Sequence, residues 1–112
     1  MKWILLESAE QLTPIKQQQG YSLVFKHSTR CYTSLMAKKR FESDWDNLPK
    51  DMSVYFLDLI QHRELSNQIA QLFHIHHESP QLLLIKDGEC VLDLSHGEIS
   101  VEEALAEISS PL

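Results

Sequence analysis

Residues 21–36 read Tyr21-Ser22-Leu23-Val24-Phe25-Lys26-His27-Ser28-Thr29-Arg30-Cys31-Tyr32-Thr33-Ser34-Leu35-Met36. The apolar run at 21–25 predicts a buried strand reaching Lys26, and the polar residues 26–30 end it. Cys31 comes next and opens a segment with helical spacing. A strand that passes through a short polar turn into a helix sets the first helical residues at the carboxyl edge of a sheet. There the unpaired N–H groups and the positive end of the helix dipole favour an anion. A thiolate is such an anion, so Cys31 is expected to be reactive rather than merely structural.

Outward from this stretch the chain alternates. Residues 3–6, Trp-Ile-Leu-Leu, suit a short first strand near an edge. Ser8 and Gln11 have the spacing of a capping box, and the helix they open carries Leu12 and Ile15 on one face. Pro14 lies in its first turns, where a missing N–H matters least, and Gly20 ends the segment. After Cys31 a helix is predicted to about Asn47, with Ala37, Phe41, Trp45 and Leu48 as its inward stripe. The turn-rich residues 46–51 close it. Residues 53–58 read as a third strand, apolar enough to be covered on both faces.

Leu65, Ile69, Leu72 and Phe73 mark a third helix over roughly 63–74. Two apolar runs, at 81–85 and 90–94, flank an Asp87-Gly88 pair, which is a hairpin signal. Ser100 and Glu103 form a second capping box before a last helix containing Val101, Ala104, Leu105 and Ile108. The order is βαβαβαββα in one domain spanning residues 1–112, an α/β fold with a central mixed sheet and helices on both faces.

The net charge of −6, from 10 Lys and Arg against 16 Asp and Glu, argues against nucleic acid or an anionic membrane as partner. No apolar segment approaches the roughly 20 residues needed to span a bilayer, and the N-terminus lacks the features of a signal peptide. A cytoplasmic location is expected. The two cysteines, Cys31 and Cys90, lie far apart and make no disulfide framework.

This order, with a cysteine where the second strand meets its helix and a proline before the next-to-last strand, resembles the thioredoxin fold over nearly the whole chain. The segment around Cys31 is similar to the YtxJ-like family of monothiol bacilliredoxins, whose motif is of the type Lys-His-Ser-Thr-x-Cys-Pro-x-Ser. Lys26, His27, Ser28, Thr29, Cys31 and Ser34 match it, and Tyr32 stands where the family commonly has proline. The resemblance implies a thiol–disulfide oxidoreductase that removes bacillithiol from S-thiolated client proteins through a Cys31 mixed disulfide. Bacillithiol enters as co-substrate and no bound cofactor is expected.

Ser34 shares a helix face with Cys31, so its hydroxyl is placed to approach the sulfur. It either donates a hydrogen bond to the thiolate or is a small polar residue near a helix start. In both cases it cannot act as a resolving thiol. Thr29 and Arg30 complete the surroundings expected to stabilise the thiolate, and Lys26 is near enough in sequence to add positive potential. By the same resemblance Pro80 follows a cis peptide bond and faces Cys31. The backbone of Ser79 is then available to an extended substrate segment, with Tyr32 at the mouth.

Other polar residues have plainer readings. His74, His76, His77 and Glu78 include only one pair at helical spacing, and no metal site is assigned to them. They suit a solvated helix end. His27 is close enough to Cys31 to serve as a base, although a histidine at a strand end is more often structural. Cys90 reads as a small core or edge residue. Phe25 occupies the place where many dithiol thioredoxins have a buried acid, which also argues against a dithiol cycle. Two alternatives stay open: a monothiol glutaredoxin-like iron–sulfur carrier, which Tyr32 and Thr33 would crowd, and a non-catalytic thioredoxin-fold binding module.

Overall fold

The computed structural model describes residues 1–110. Five strands form one sheet: β1 (Ile4–Leu5), β2 (Tyr21–His27), β3 (Ser53–Asp58), β4 (Gln81–Lys86) and β5 (Glu89–Ser95). Four helices accompany them: α1 (Leu12–Gln17), α2 (Tyr32–Asp44), α3 (Arg63–Leu72) and α4 (Val101–Ile108). The spatial order is β1-β3-β2-β4-β5. β3 runs parallel to both β1 and β2, while β4 is antiparallel to β2 and to β5. The sheet is therefore mixed, as its sequence order predicts, with the hairpin at one side.

Side chains alternate across a strand, and that parity divides the core. Leu23 and Phe25 of β2, with Leu82 and Leu84 of β4, pack against Ala37 and Phe41 of α2 and against Val101 and Ala104 of α4. Val24, Leu83 and Ile85 point the other way, into Leu12 and Ile15 of α1 and Leu65 and Ile69 of α3. Each face of the sheet thus carries two helices. Trp3 extends the first layer, its ring lying 5.0–5.7 Å from those of Phe25, Phe41, Trp45 and Phe56.

The first strand is shorter than the sequence suggests. Only Ile4 and Leu5 pair in register with β3, after which the Leu6 N–H makes a last bond to the Phe56 carbonyl at 2.8 Å; the Trp3 and Leu6 side chains enter the two opposite cores. Gln11 secures the chain beyond it by accepting the N–H of Glu7 at 2.7 Å and of Ser8 at 3.1 Å, and by donating to the Leu5 carbonyl. At the hairpin both Asp87 (φ 51°) and Gly88 (φ 81°) are left-handed, as a two-residue turn of this twist demands. Gly88 also lies against the Lys16 backbone, where an added Cβ would come within 2.0 Å of the carbonyl oxygen. The turn is held in return by Asp87, whose carboxylate accepts the Gly20 N–H at 2.7 Å. Among the described residues no helix is long and apolar enough to cross a membrane.

Candidate active site

β2 delivers its C-terminal residues to one end of the sheet, and the chain turns there before α2 begins. Cys31 is the N-cap of α2, with extended backbone (φ −110°, ψ 119°) and no hydrogen bond from its side chain to the helix start. Its N–H donates to the Ser28 carbonyl at 3.1 Å and its carbonyl accepts from Leu35 at 3.0 Å. The thiol is free and only partly buried. Thr29 and Arg30 before it are exposed, and Tyr32 after it is 74% exposed. Leu35 and Met36 continue this outward face of α2, so Cys31 opens onto a rim that is partly apolar.

The register brings the proline loop to the same end. Gln81, the first residue of β4, pairs with Lys26 near the end of β2, and the residues just before Gln81 therefore lie beside the Cys31 turn. The Ser79–Pro80 peptide is cis. Pro80 is buried, and its carbonyl accepts the His96 N–H. The Ser79 hydroxyl is buried without a hydrogen-bond partner among the described residues. Gln81, itself fully buried, braces the loop by donating to the His76 carbonyl at 2.9 Å and accepting the Glu78 N–H at 3.4 Å.

Ser34 is fully buried, and its hydroxyl is engaged elsewhere than the reading from spacing suggests. It accepts the Ser28 N–H at 3.0 Å and lies 2.6 Å from Nδ1 of His27. The expected bond to the Cys31 sulfur is not among its hydrogen bonds. The hydroxyl instead ties the first turn of α2 to the end of β2, closing the loop that carries Cys31. His27 is the neighbour of this loop that sequence reasoning undervalues. Strand parity places it on the α2 side with Phe25, and the turn then brings position 34 back over it. Burial and the Lys38 ammonium lower its pKa below the ordinary histidine value, against opposing contributions from Asp58 and Glu42.

Lys26 requires a correction. Adjacent to His27, it has the opposite parity and points away from Cys31 into the α1–α3 side of the sheet. It is fully buried, donating to the Ser66 carbonyl and meeting Nδ1 of His77, both at 3.2 Å. Burial pushes its pKa down to about 8. The positive potential expected from it at Cys31 is replaced by a brace between α3 and the loop leading to Pro80. Burial, followed by Lys26 and Arg63, lowers the pKa of His77 as well.

The remaining histidines go separate ways. His74 lies just beyond the end of α3, in the left-handed region with φ 56°. His76 and His96 approach Glu78 at 3.7 and 3.8 Å from different segments.

Cys90 sits at the other end of the sheet. It pairs with Ile85 on β4, roughly 14 Å along the strand from the Gln81 end at the usual rise per residue. Its thiol packs against the α1–α3 core and donates to the Leu92 carbonyl at 3.4 Å. Burial pushes its pKa up to about 11. One thiol thus lies at the end of the sheet that also carries the cis proline, and the other is held protonated at the far end.

A family model described as monothiol bacilliredoxin BrxC matches residues 4–104. A solved structure with a provisional oxidoreductase assignment and a thioredoxin fold is 34% identical. It covers 96% of this chain and 93% of its own, with a TM-score of 0.81. A thioredoxin of Malassezia sympodialis superposes with a TM-score of 0.72 at 18% identity, over 96% of this chain and 89% of its own. A variant thioredoxin of Halobacterium salinarum does so with 0.66 at 17% identity, over 94% and 85%. The two thioredoxins show the shared fold.

Proposed function

Since the chain belongs to the monothiol bacilliredoxin family and is a thiol oxidoreductase of thioredoxin fold, we propose that it removes bacillithiol from mixed disulfides on client proteins with Cys31 as the nucleophile. The observation that carries this reading is the contrast between its two cysteines. Both are partly buried, but Cys31 stands at the start of α2 between exposed neighbours, whereas Cys90 packs against the α1–α3 core, is hydrogen-bonded and resists ionisation. The thiolate is the attacking species in disulfide exchange, so only the first is suited to it.

The steps balance with one protein thiol. The Cys31 thiolate attacks the bacillithiol sulfur of the client's mixed disulfide, and the client sulfur leaves as a thiolate that takes up a proton. Cys31 is then joined to bacillithiol. Ser34 has no sulfur with which to displace that adduct, so a second bacillithiol thiolate attacks it. Bacillithiol disulfide departs and the Cys31 thiolate is restored. The net exchange consumes one free bacillithiol and turns the client's mixed disulfide into a client thiol and bacillithiol disulfide. In this reading Thr29, Arg30 and the α2 start favour the thiolate, while Tyr32, Ser79 and Pro80 contact the client segment. No bound metal or flavin is needed.

Reduction of a bacillithiolated client protein by the purified chain with free bacillithiol tests this. Cys31→Ser is expected to abolish turnover and Cys90→Ser to leave it within about twofold of wild type, because only Cys31 reacts. Retention of turnover by Cys31→Ser ends the proposal.

A further inference from the structure

Between residues 26 and 41 the chain carries five basic residues and no acidic one, although its net charge is −6. Three of the five are engaged. Lys26 is buried against Ser66 of α3, Lys38 pairs with Glu42 at 3.0 Å, and Arg40 donates to the carbonyls of Ile99 and His96. Arg30 and Lys39 remain, both exposed and without an ion pair among the described residues.

α2 presents these two cations together with apolar groups. Ser34, Ala37 and Phe41 are its buried side. At 3.6 residues per turn, positions 32, 35, 36 and 39 stand on the opposite side. Tyr32 is 74% exposed, Leu35 42% and Met36 40%. Arg30 precedes Cys31 and Lys39 lies two turns beyond it, so the apolar group has a cation at each end. We propose that this face of α2 docks the client protein itself, and that it selects thiolated cysteines whose neighbouring segment combines an apolar residue with carboxylates.

Length favours a polypeptide over the small thiol as occupant. At 1.5 Å per residue, Lys39 is about 10 Å along the helix from Tyr32. A small thiol joined to Cys31 covers the first turn, whereas an extended segment spans the whole distance in about three residues. Charge favours carboxylates. All 16 acidic residues of the chain lie outside residues 26–41, so an acidic client is drawn to this face and repelled elsewhere. Three apolar side chains and two charges make a patch far smaller than a lasting interface, as suits a client that must leave after exchange. The proposal rests on Cys31 being the exchanging thiol.

The test uses the full chain and peptides that carry bacillithiol on a central cysteine, flanked by one leucine and either two aspartates or two lysines. In wild type, kcat/KM for the aspartate peptide is expected to exceed that for the lysine peptide about tenfold at about 0.01 M salt, and the two should converge near about 1 M. Lys39→Glu should erase or reverse the preference. Leu35→Ser combined with Met36→Ser should lower kcat/KM for both peptides about tenfold. Neither change touches the reacting sulfur, so exchange of Cys31 with bacillithiol disulfide should stay within about twofold of wild type.

Equal kcat/KM for the two peptides in wild type overturns the proposal. So does an effect of Lys39→Glu on bacillithiol disulfide as large as on the aspartate peptide, which assigns the cation to the small thiol. A dimer in solution that covers Tyr32, Leu35 and Met36 overturns it as well. An aspartate peptide with serine in place of its cysteine cannot exchange, and its binding reads docking without chemistry. Its backbone amide shifts in the protein should centre on residues 32–39, and shifts centred elsewhere also overturn the proposal. A chain that binds this analogue on residues 32–39 but reduces neither mixed disulfide loses the exchange reading alone. One that reduces both peptides equally well loses the docking surface alone.

Discussion

At the scale of single residues, neighbours in sequence have opposite fates. Lys26 and His27 are consecutive, but alternation along β2 sends one under α3 and the other under α2. Lys26 carries a cation into a fully buried site where a carbonyl and an imidazole are its hydrogen-bond partners. Burying an ammonium costs stability unless it is well compensated, and an apolar side chain of similar size often does better. Lys26→Met is therefore expected to unfold at a higher temperature near pH 7, by about 1–2 kcal/mol in stability.

The pH dependence follows from the direction of the shift. In the folded protein Lys26 loses its proton around pH 8, and in the unfolded chain around the ordinary lysine value of 10.5. Below pH 8 both states hold the proton and the burial penalty is fully present. Between 8 and 10.5 the unfolded state binds more protons, so the folded state gains stability with rising pH, by up to roughly 3 kcal/mol. Cys90 acts in the opposite sense. It keeps its proton in the folded state up to about pH 11, against 9.0 unfolded, and its stabilising contribution is lost as pH climbs through that window. Denaturant titrations across this range should show the advantage of Lys26→Met shrinking from pH 8 upward. A constant difference between the two proteins refutes the linkage.

At the scale of elements, the hairpin turn and the strand–helix junction meet different demands at opposite ends of the sheet. Gly88 combines a left-handed backbone with direct contact on Lys16. Gly97 has open space around its Cα and no such φ. Gly88→Ala should cost about 2 kcal/mol or more in equilibrium unfolding, and Gly97→Ala about 0.5 or less. Equal effects would mean that the Lys16 contact yields easily.

This turn was legible in the sequence because its cause is local: an Asp-Gly pair between two apolar runs admits few alternatives. The start of α2 at Cys31 was legible for the same reason. The roles of Lys26, His27 and Ser34 were not, because each depends on which face of the sheet a helix covers. Parity alone separates Lys26 from His27, but only the packed α2 shows that Ser34 returns over the histidine seven residues before it. The length of β1 was not legible because its register on β3 ends at Leu5, with the Leu6 N–H making the last bond to Phe56, and nothing local in the apolar run 3–6 marks that end.

At the scale of the whole molecule, the sheet keeps its two sulfurs apart. Cys31 lies where β2 ends and Cys90 near where β4 ends, and β2 and β4 run antiparallel. No local adjustment of a turn joins them, since a disulfide requires Cα atoms within about 7 Å. Oxidation of the reduced protein with diamide should therefore leave the monomer with no internal disulfide by mass spectrometry, and any linkage formed should be intermolecular and dependent on Cys31. A monomer that has lost two hydrogens between Cys31 and Cys90 would contradict the arrangement of the sheet.

The oxygen that Ser34 carries in place of sulfur has a kinetic meaning. A chain with its own second thiol resets at a pace set internally. In the cycle proposed for this one it must wait for a collision, so its return to the starting state would be proportional to the concentration of whatever small thiol surrounds it. When that supply runs down, such a cycle would leave the chain not in its reduced form but in the blocked one. On that proposal, the proportion of blocked chains in a living cell would gauge how well that supply is keeping up.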